Sequence, residues 1–108
     1  MESLTQIEVL VLAATADRAH YGYELVQRVA ELTGGRITVR PGNLYRVLHR
    51  LVERGLVREL AATAAEEDER RRYFRATARG RRAAATELTL YASVLRRTPS
   101  LREAAADG

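Results

Sequence analysis

Residues 40 to 57 hold the side chains whose types and spacing are best suited to binding a ligand. Read as a helix that begins near Pro41, this segment collects guanidinium, amide, phenol and imidazole groups on one face and its flank: Asn43, Tyr45, Arg46, His49, Arg50 and Arg54. Such groups donate hydrogen bonds to phosphate oxygens and to base edges in DNA. The other face is apolar, as packing against a core requires: Leu44, Val47, Leu48, Leu51 and Val52. The pattern predicts a helix that contacts DNA.

The ends of this helix are marked by residues with special backbone properties. Pro41 suits the first turn, because its missing N–H has no partner there. Arg40 and Asn43 lie beside it, where free N–H groups and the helix dipole favour a phosphate. Gly55 follows where a left-handed C-cap is needed, and a strand begins at Leu56. A two-faced helix followed at once by a strand is typical of the recognition end of a winged helix.

Each candidate contact also has a structural interpretation. Arg46 and Arg50 are expected in the DNA groove, although charges at this spacing also occur on solvated helix faces. Tyr45 could donate its hydroxyl to a phosphate or pack its ring under the wing. His49 is a lone histidine on a helix flank, and such residues are often structural. We expect the phosphate role for Tyr45 and treat His49 as a weaker candidate.

Neither catalysis nor a metal site is indicated. The sequence has no P-loop, dinucleotide fingerprint, G-x-S-x-G motif or cysteine nucleophile. The histidines His20 and His49 have neither cysteine nor suitably spaced carboxylates to complete a metal site. We therefore expect no enzyme, no cofactor and no metal.

The composition fits one small DNA-binding domain. The chain has 108 residues, a net charge of +4 and no cysteine, which fits a reducing compartment such as the cytoplasm. No apolar run approaches the ~18 residues that span a bilayer, so no membrane partner is expected. All 18 basic residues are arginine, and codon bias explains this choice over lysine as well as DNA binding does.

Start and stop signals predict the order helix, helix, helix, strand, strand, helix. A capping box formed by Thr5 and Glu8 begins the first helix, and Gly22 lies near the start of the second. Strands at residues 56–60 and 71–76 form a two-stranded wing, and Thr77 caps a last helix that ends near Arg97. We expect a domain at residues 1–76, a helix at 77–98 and a disordered tail at 99–108. The fold class is α+β: a winged helix-turn-helix plus a C-terminal dimerisation helix.

Two helices carry more apolar surface than one small domain covers. The first is apolar on nearly every side, and the last has a broad apolar arc. A second subunit is the expected cover, and its predicted contacts are Leu4, Ile7, Val11, Leu88, Tyr91, Ala92 and Leu95. Tyr91 could instead line a ligand cavity at this interface, although simple packing is the favoured interpretation.

Three segments, in order and spacing, resemble the PadR family of bacterial transcriptional regulators. HYGYEL at residues 20–25 resembles "yGYeL" at the start of the family's second helix. GNLYRVLHRL at 42–51, with GLV at 55–57, resembles "GtlYplLkrLe…GlI" in the recognition helix. RRRYFRATARGR at 70–81 resembles "grrrkyYrlTe.Gr" in the wing and last helix. The similarity covers roughly residues 4 to 95.

The resemblance implies a homodimer that binds a pseudo-palindromic operator as a repressor, with a possible small-molecule effector between the last helices. It also implies that the last helix packs across the two-fold axis, as in the short branch of the family. The expected DNA contacts are Tyr23, Arg40, Gly42, Asn43, Tyr45, Arg46, His49, Arg50, Arg70, Arg71 and Arg72. Which of Tyr21 and Tyr23 reaches a phosphate stays open.

Two features depart from the family pattern. Asn43 replaces a common Thr or Ser, and four carboxylates at residues 66–69 occupy the expected wing tip, where they would repel DNA. We expect the wing to contact the backbone through the arginines at its base, or the acidic run to pair with those arginines in the free protein. The alternative function is a winged-helix protein-interaction module without sequence-specific DNA binding.

Overall fold

The computed structural model describes residues 2–61 and 71–108 of the chain. Its elements follow in the order α1 (Gln6–Ala14), β1 (His20–Tyr21), α2 (Gly22–Leu32), α3 (Pro41–Glu53), β2 (Val57–Leu60), β3 (Tyr73–Ala76), α4 (Ala78–Arg97) and α5 (Pro99–Asp107). The predicted α+β winged helix is confirmed. Two elements, β1 and α5, were not predicted from the sequence.

The predicted capping box begins α1. The Thr5 N–H donates to Oε1 of Glu8 at 2.8 Å, and the Glu8 N–H donates back to the Thr5 hydroxyl at 3.2 Å. Both bonds satisfy donors that a helix start leaves without intrahelical partners. They also turn the Glu8 side chain inward, so that it is almost wholly buried.

The core lies where α1, α2, α3 and the first turns of α4 meet. Its largest fully buried side chains come from the first three helices, from β3 and from the residue before β2: Phe74, Leu12, Leu25, Leu44, Leu48, Leu51 and Leu56. The chain itself therefore covers most of α1. Val11 has no exposed surface, so its prediction as a dimer contact is wrong: neighbouring helices of the same chain already enclose it.

A small antiparallel sheet has the strand order β1-β3-β2. In the wing, Val57 lies opposite Ala76 and Arg58 lies opposite Arg75. The added strand β1 pairs His20 with Phe74 and Tyr21 with Tyr73. The segment before α2 therefore ends as a short edge strand, which ties the start of α2 to the wing.

The last two helices extend away from the core. Thr77 caps α4 as predicted, because its hydroxyl accepts the Gly80 N–H at 3.0 Å. Beyond Thr98 the structure has helix α5 where a disordered tail was expected. Pro99 in the first turn and three consecutive alanines favour that helix, although none of its residues is buried. Among the described residues, no helix is both long and apolar enough to cross a membrane.

Candidate nucleic-acid interface

Helix α3 has the two faces that its sequence predicts. Leu44, Val47, Leu48 and Leu51 are buried, whereas Asn43, Arg46, His49 and Arg50 are exposed. Pro41 occupies its first turn, and Gly55 follows its end with φ of 73°, a left-handed conformation that favours glycine. The apolar face thus fixes the helix on the core and turns the polar face to solvent.

The N-terminal half of the polar face is open. Arg40, Gly42, Asn43 and Arg46 are all exposed. Within residues 2–61 and 71–108, Arg46 makes no hydrogen bond or ion pair, so its guanidinium group is available to a ligand. A Cβ placed on Gly42 would meet nothing within 4 Å, which leaves room for a phosphate beside the helix N-terminus.

The C-terminal half of the same face is held by a buried carboxylate. Oε2 of Glu8 lies 3.3 Å from Nη1 of Arg54 and 4.0 Å from Nε of Arg50. Arg54 also donates to the Ser3 carbonyl at 3.0 Å. Of the two predicted groove arginines, Arg46 has no such partner among the described residues, and Arg50 is drawn towards α1 through Nε. The capping box had marked Glu8 as a helix start, but no sequence signal linked it to α3.

Tyr45 adopts the packing arrangement that the sequence left open. Its ring stands edge-on to Phe74, with centroids 6.2 Å apart, and it lies directly over Gly22. A Cβ on residue 22 would collide with the Tyr45 hydroxyl, so close packing of α2 on α3 requires glycine there. The ring remains 37% exposed. A phosphate contact by the Tyr45 hydroxyl stays a prediction.

Tyrosines 21 and 23 have different surroundings. Tyr23 is 66% exposed at the start of α2. Tyr21 packs edge-on against Tyr73 at 5.7 Å, and the Arg71 guanidinium lies 4.4 Å above its ring. Such a cation–π contact holds a cationic side chain without neutralising it. Tyr23 is therefore the more exposed of the two, and Tyr21 packs against the wing; a phosphate contact by either stays a prediction.

Arg72 is paired within the wing. Its Nε and Nη2 donate to the two carboxylate oxygens of Glu59 at 2.6 and 3.0 Å, a bidentate geometry. The hydrogen bond from Arg72 holds the pKa of Glu59 below its ordinary value of 4.5. Its guanidinium also lies 5.7 Å from the centre of the Tyr45 ring, close to α3. Glu59 was not predicted from the sequence, because nothing local marks a cross-strand partner.

The two histidines are both paired. His49 contacts Glu53, one turn further along α3, which favours the structural interpretation of this residue. His20 is buried, with Nε2 3.4 Å from Asp17. Among the residues that the structure describes, no three His, Asp or Glu side chains are grouped as metal ligands. The predicted contact Arg70 and the acidic run at 66–69 lie outside the described residues.

The exposed face of α4 is apolar. Leu88, Tyr91, Val94 and Leu95 are between 44% and 56% exposed, and Ala92 lies among them. The Tyr91 hydroxyl donates to buried Glu87 at 3.0 Å, and this bond raises the pKa of Tyr91. A mainly apolar cavity of about 380 Å³ lies between α1 and α4, lined by Leu4, Gln6, Val9, Leu10, Ile37, Leu88 and Tyr91.

The sequence profile of the PadR-like family of transcriptional regulators matches residues 10–86. The chain belongs to this family. The expectation that it is not an enzyme agrees with membership of PadR-like regulators. No curated protein sequence matches this PadR-like chain.

Solved structures of other regulators share the fold. RosR of H. salinarum is 26% identical to this PadR-like chain, with a TM-score of 0.69, and the match covers 98% of this chain and 90% of that one. PadR of Bacillus subtilis, solved in complex with operator DNA, is 15% identical with a TM-score of 0.68, over 82% of this chain and 49% of that one. A PadR family regulator of Clostridium difficile R20291 is 21% identical with a TM-score of 0.69, over 86% and 97%.

Proposed function

We propose that this PadR-family regulator represses transcription by binding pseudo-palindromic operator DNA as a homodimer. The observation that carries the proposal is the polar face of α3. Its apolar side is locked in the core, and its outer side presents Arg46, exposed and without a partner among the described residues. A rigid helix with a free guanidinium fork matches the way bases are recognised in the major groove.

Phosphate contacts surround this helix in the proposed complex. Arg40, Gly42 and Asn43 lie at its N-terminus, Tyr23 is exposed at the start of α2, and Arg71 lies at the base of the wing. The B. subtilis PadR complex shows that this fold accommodates operator DNA. If roughly 6–10 phosphates are contacted per dimer, affinity falls by roughly 10³–10⁵ between 50 and 200 mM salt.

The apolar face of α4 supports the homodimer. Leu88, Tyr91 and Leu95 are each about half exposed, which is unusual for large apolar side chains grouped on one helix. A second copy related by a two-fold axis would cover them and place two α3 helices about one DNA turn apart, or a multiple of it. Among the remaining predicted contacts, Ile7 is half-buried, whereas Leu4 is buried within the chain beside the α1–α4 cavity.

A small-molecule effector would act through this same region. The cavity of about 380 Å³ between α1 and α4 has a mainly apolar lining with one amide, Gln6, and one phenol, Tyr91. A ligand there would contact both α4, which carries the proposed interface, and α1. Glu8 joins α1 to α3. Occupation of the cavity would therefore change the spacing of the two recognition helices.

The test is selection of duplexes from a random DNA pool with the purified protein, followed by fluorescence anisotropy across a salt series. Regulation through DNA predicts an enriched inverted repeat, bound as two chains per duplex with a steep loss of affinity in salt. The alternative function, a protein-interaction module that uses the exposed face of α4, predicts no enriched sequence and equal, weak binding to every duplex.

A further inference from the structure

Two arginines face each other across the wing. Arg58 in β2 is the direct partner of Arg75 in β3, and both are exposed. Like charges at directly opposed positions of an antiparallel pair destabilise the sheet. Because their neighbours Val57 and Ala76 are buried, the pleat places both arginines on the outer face of the sheet. Because the opposed charges destabilise the sheet, an anion bound between them would stabilise it.

A third arginine completes the cluster. Arg81, in the first turns of α4, folds back so that its Nη1 donates to the Ala76 carbonyl at 3.1 Å. The three arginines line a cleft of about 200 Å³ together with Ala76, Thr77 and Ala78. None of the residues that line this cleft is acidic. The positive N-terminal end of α4 adds to the same potential.

Several other arginines among the described residues pair with carboxylates. Arg72 is paired with Glu59, Arg54 with Glu8 and Arg79 with Glu2. Within the described ranges, by contrast, neither Arg58 nor Arg75 has a carboxylate within 4.0 Å. Two directly opposed arginines therefore lie in one cleft between the wing and α4 without a carboxylate partner among the described residues.

We propose that the cleft formed by Arg58, Arg75 and Arg81, the arginine cleft, binds a phosphate group. Planar guanidinium groups match the oxygens of a phosphate in a bidentate manner, and three of them surround one tetrahedral anion. The pleat sets the arginine cleft on the opposite face of the sheet from Phe74, which contacts Tyr45 of α3. The site is therefore separate from the recognition face. Its phosphate belongs to a small molecule or to DNA flanking the half-site.

The first arm of the test uses inorganic phosphate and no DNA. The ¹⁵N-labelled protein is titrated with phosphate, with chloride exchanged out to keep the ionic strength constant. We expect saturable shifts of the amide signals of residues 58 and 75–81 only. Arg58→Gln/Arg75→Gln should abolish them, whereas Arg102→Gln on α5 should leave them unchanged. Shifts that do not saturate, or that persist in the double variant, overturn the site.

Stability provides a second readout, which also shows that the variant folds. Removal of the two opposed charges in Arg58→Gln/Arg75→Gln should raise Tm in chloride buffer, because the cross-strand repulsion is relieved. Phosphate should then raise the Tm of the parent but not that of Arg58→Gln/Arg75→Gln, as expected for binding to the folded state alone. A lower Tm for the variant in chloride, or an equal phosphate effect on both proteins, contradicts the proposal.

The second arm identifies the source of the phosphate and rests on the proposed DNA-binding function. A DNA phosphate predicts that Arg58→Gln/Arg75→Gln weakens binding to a selected duplex and lowers the salt slope by about 1 or more per chain. A small-molecule phosphate predicts unchanged affinity for DNA. If the parent selects no duplex at all, the regulator function fails while the phosphate titration still decides the site.

Discussion

Oε2 of Glu8 lies 3.3 Å from Nη1 of Arg54, and this pair joins the first turn of α1 to the end of α3. The Glu8 side chain is only 6% exposed, and the Arg54 side chain is 34% exposed. The same carboxylate accepts the Thr5 N–H through its other oxygen. One buried side chain therefore caps one helix and orients another, so the recognition face depends on a residue outside α3.

We expect Arg54→Ala to lower the free energy of unfolding by about 1–3 kcal/mol, because it leaves the buried carboxylate of Glu8 without its closest cationic partner. Urea unfolding measures the change. The matched control is Arg36→Ala, an exposed arginine whose removal should change stability by less than about 0.5 kcal/mol. Equal stabilities of the two variants would show that the Glu8–Arg54 pair contributes nothing.

Gly22→Ala should destabilise the protein by about 1–3 kcal/mol, since the new Cβ would collide with the Tyr45 ring. The effect should disappear in a Tyr45→Ala background, where space for the methyl group exists. A double-mutant cycle by urea unfolding measures this coupling. A penalty of the same size in both backgrounds would contradict the contact between α2 and α3.

Acid should selectively remove the contribution of the Glu59–Arg72 pair. Pairing lowers the pKa of Glu59 in the folded state, so the ionised carboxylate stabilises the fold above its ordinary pKa of 4.5. That contribution is lost as pH falls through the lower folded-state value. Both side chains are at least 40% exposed, so solvent screening limits the effect at neutral pH to about 0.2–1 kcal/mol.

The measurement for this pair is thermal unfolding of the parent and Glu59→Gln between pH 2 and 7. The stability difference should be present at pH 7 and vanish at the acidic end. Glu103→Gln on the exposed helix α5 is the control and should match the parent throughout. A difference that does not change with pH would mean that the charge of Glu59 has no role.

Leu88→Asp should convert the proposed dimer to monomer, because it would bury an unpaired charge in an apolar interface. We expect the dimer dissociation constant to rise by about 100-fold or more, as sedimentation velocity can measure. Thr89→Asp adds the same charge on the polar side of α4 and should leave the dimer intact. A parent that is monomeric at all accessible concentrations would contradict the assigned interface.

Local signals explain how much of the fold was predictable. The Thr5 capping box, Pro41 in a first turn, Gly55 at a C-cap and Thr77 at an N-cap each act within about four residues, and all are present in the structure. The strand β1 was missed, because its two residues form a strand only through pairing with β3, more than fifty positions away.

The sequence predicted which face of α3 is exposed, but it did not predict the ion pairs made by arginines of the candidate site. The period of α3 predicted which side chains point outward, and Arg46 is exposed as expected. The ion pairs of Arg50 and Arg72 depend on Glu8 and Glu59, which lie on other elements. Val11 was placed wrongly for a similar reason, because the apolar surface of α1 gives no indication of how much of it the same chain covers.

The exposed face of α3 that carries Arg46 is proposed to recognise the base sequence of the operator. The most direct measurement is fluorescence anisotropy with the duplex that the parent enriches from a random pool. Binding of Arg46→Ala is compared with binding of the charge-matched control Arg102→Ala. Scrambled DNA is the reference. We expect Arg46→Ala to bind the selected duplex with about 10- to 100-fold lower affinity, and to bind scrambled DNA with nearly the affinity of the parent. Arg102→Ala should bind like the parent. Equal affinities of the two variants for the selected duplex would contradict base recognition by Arg46.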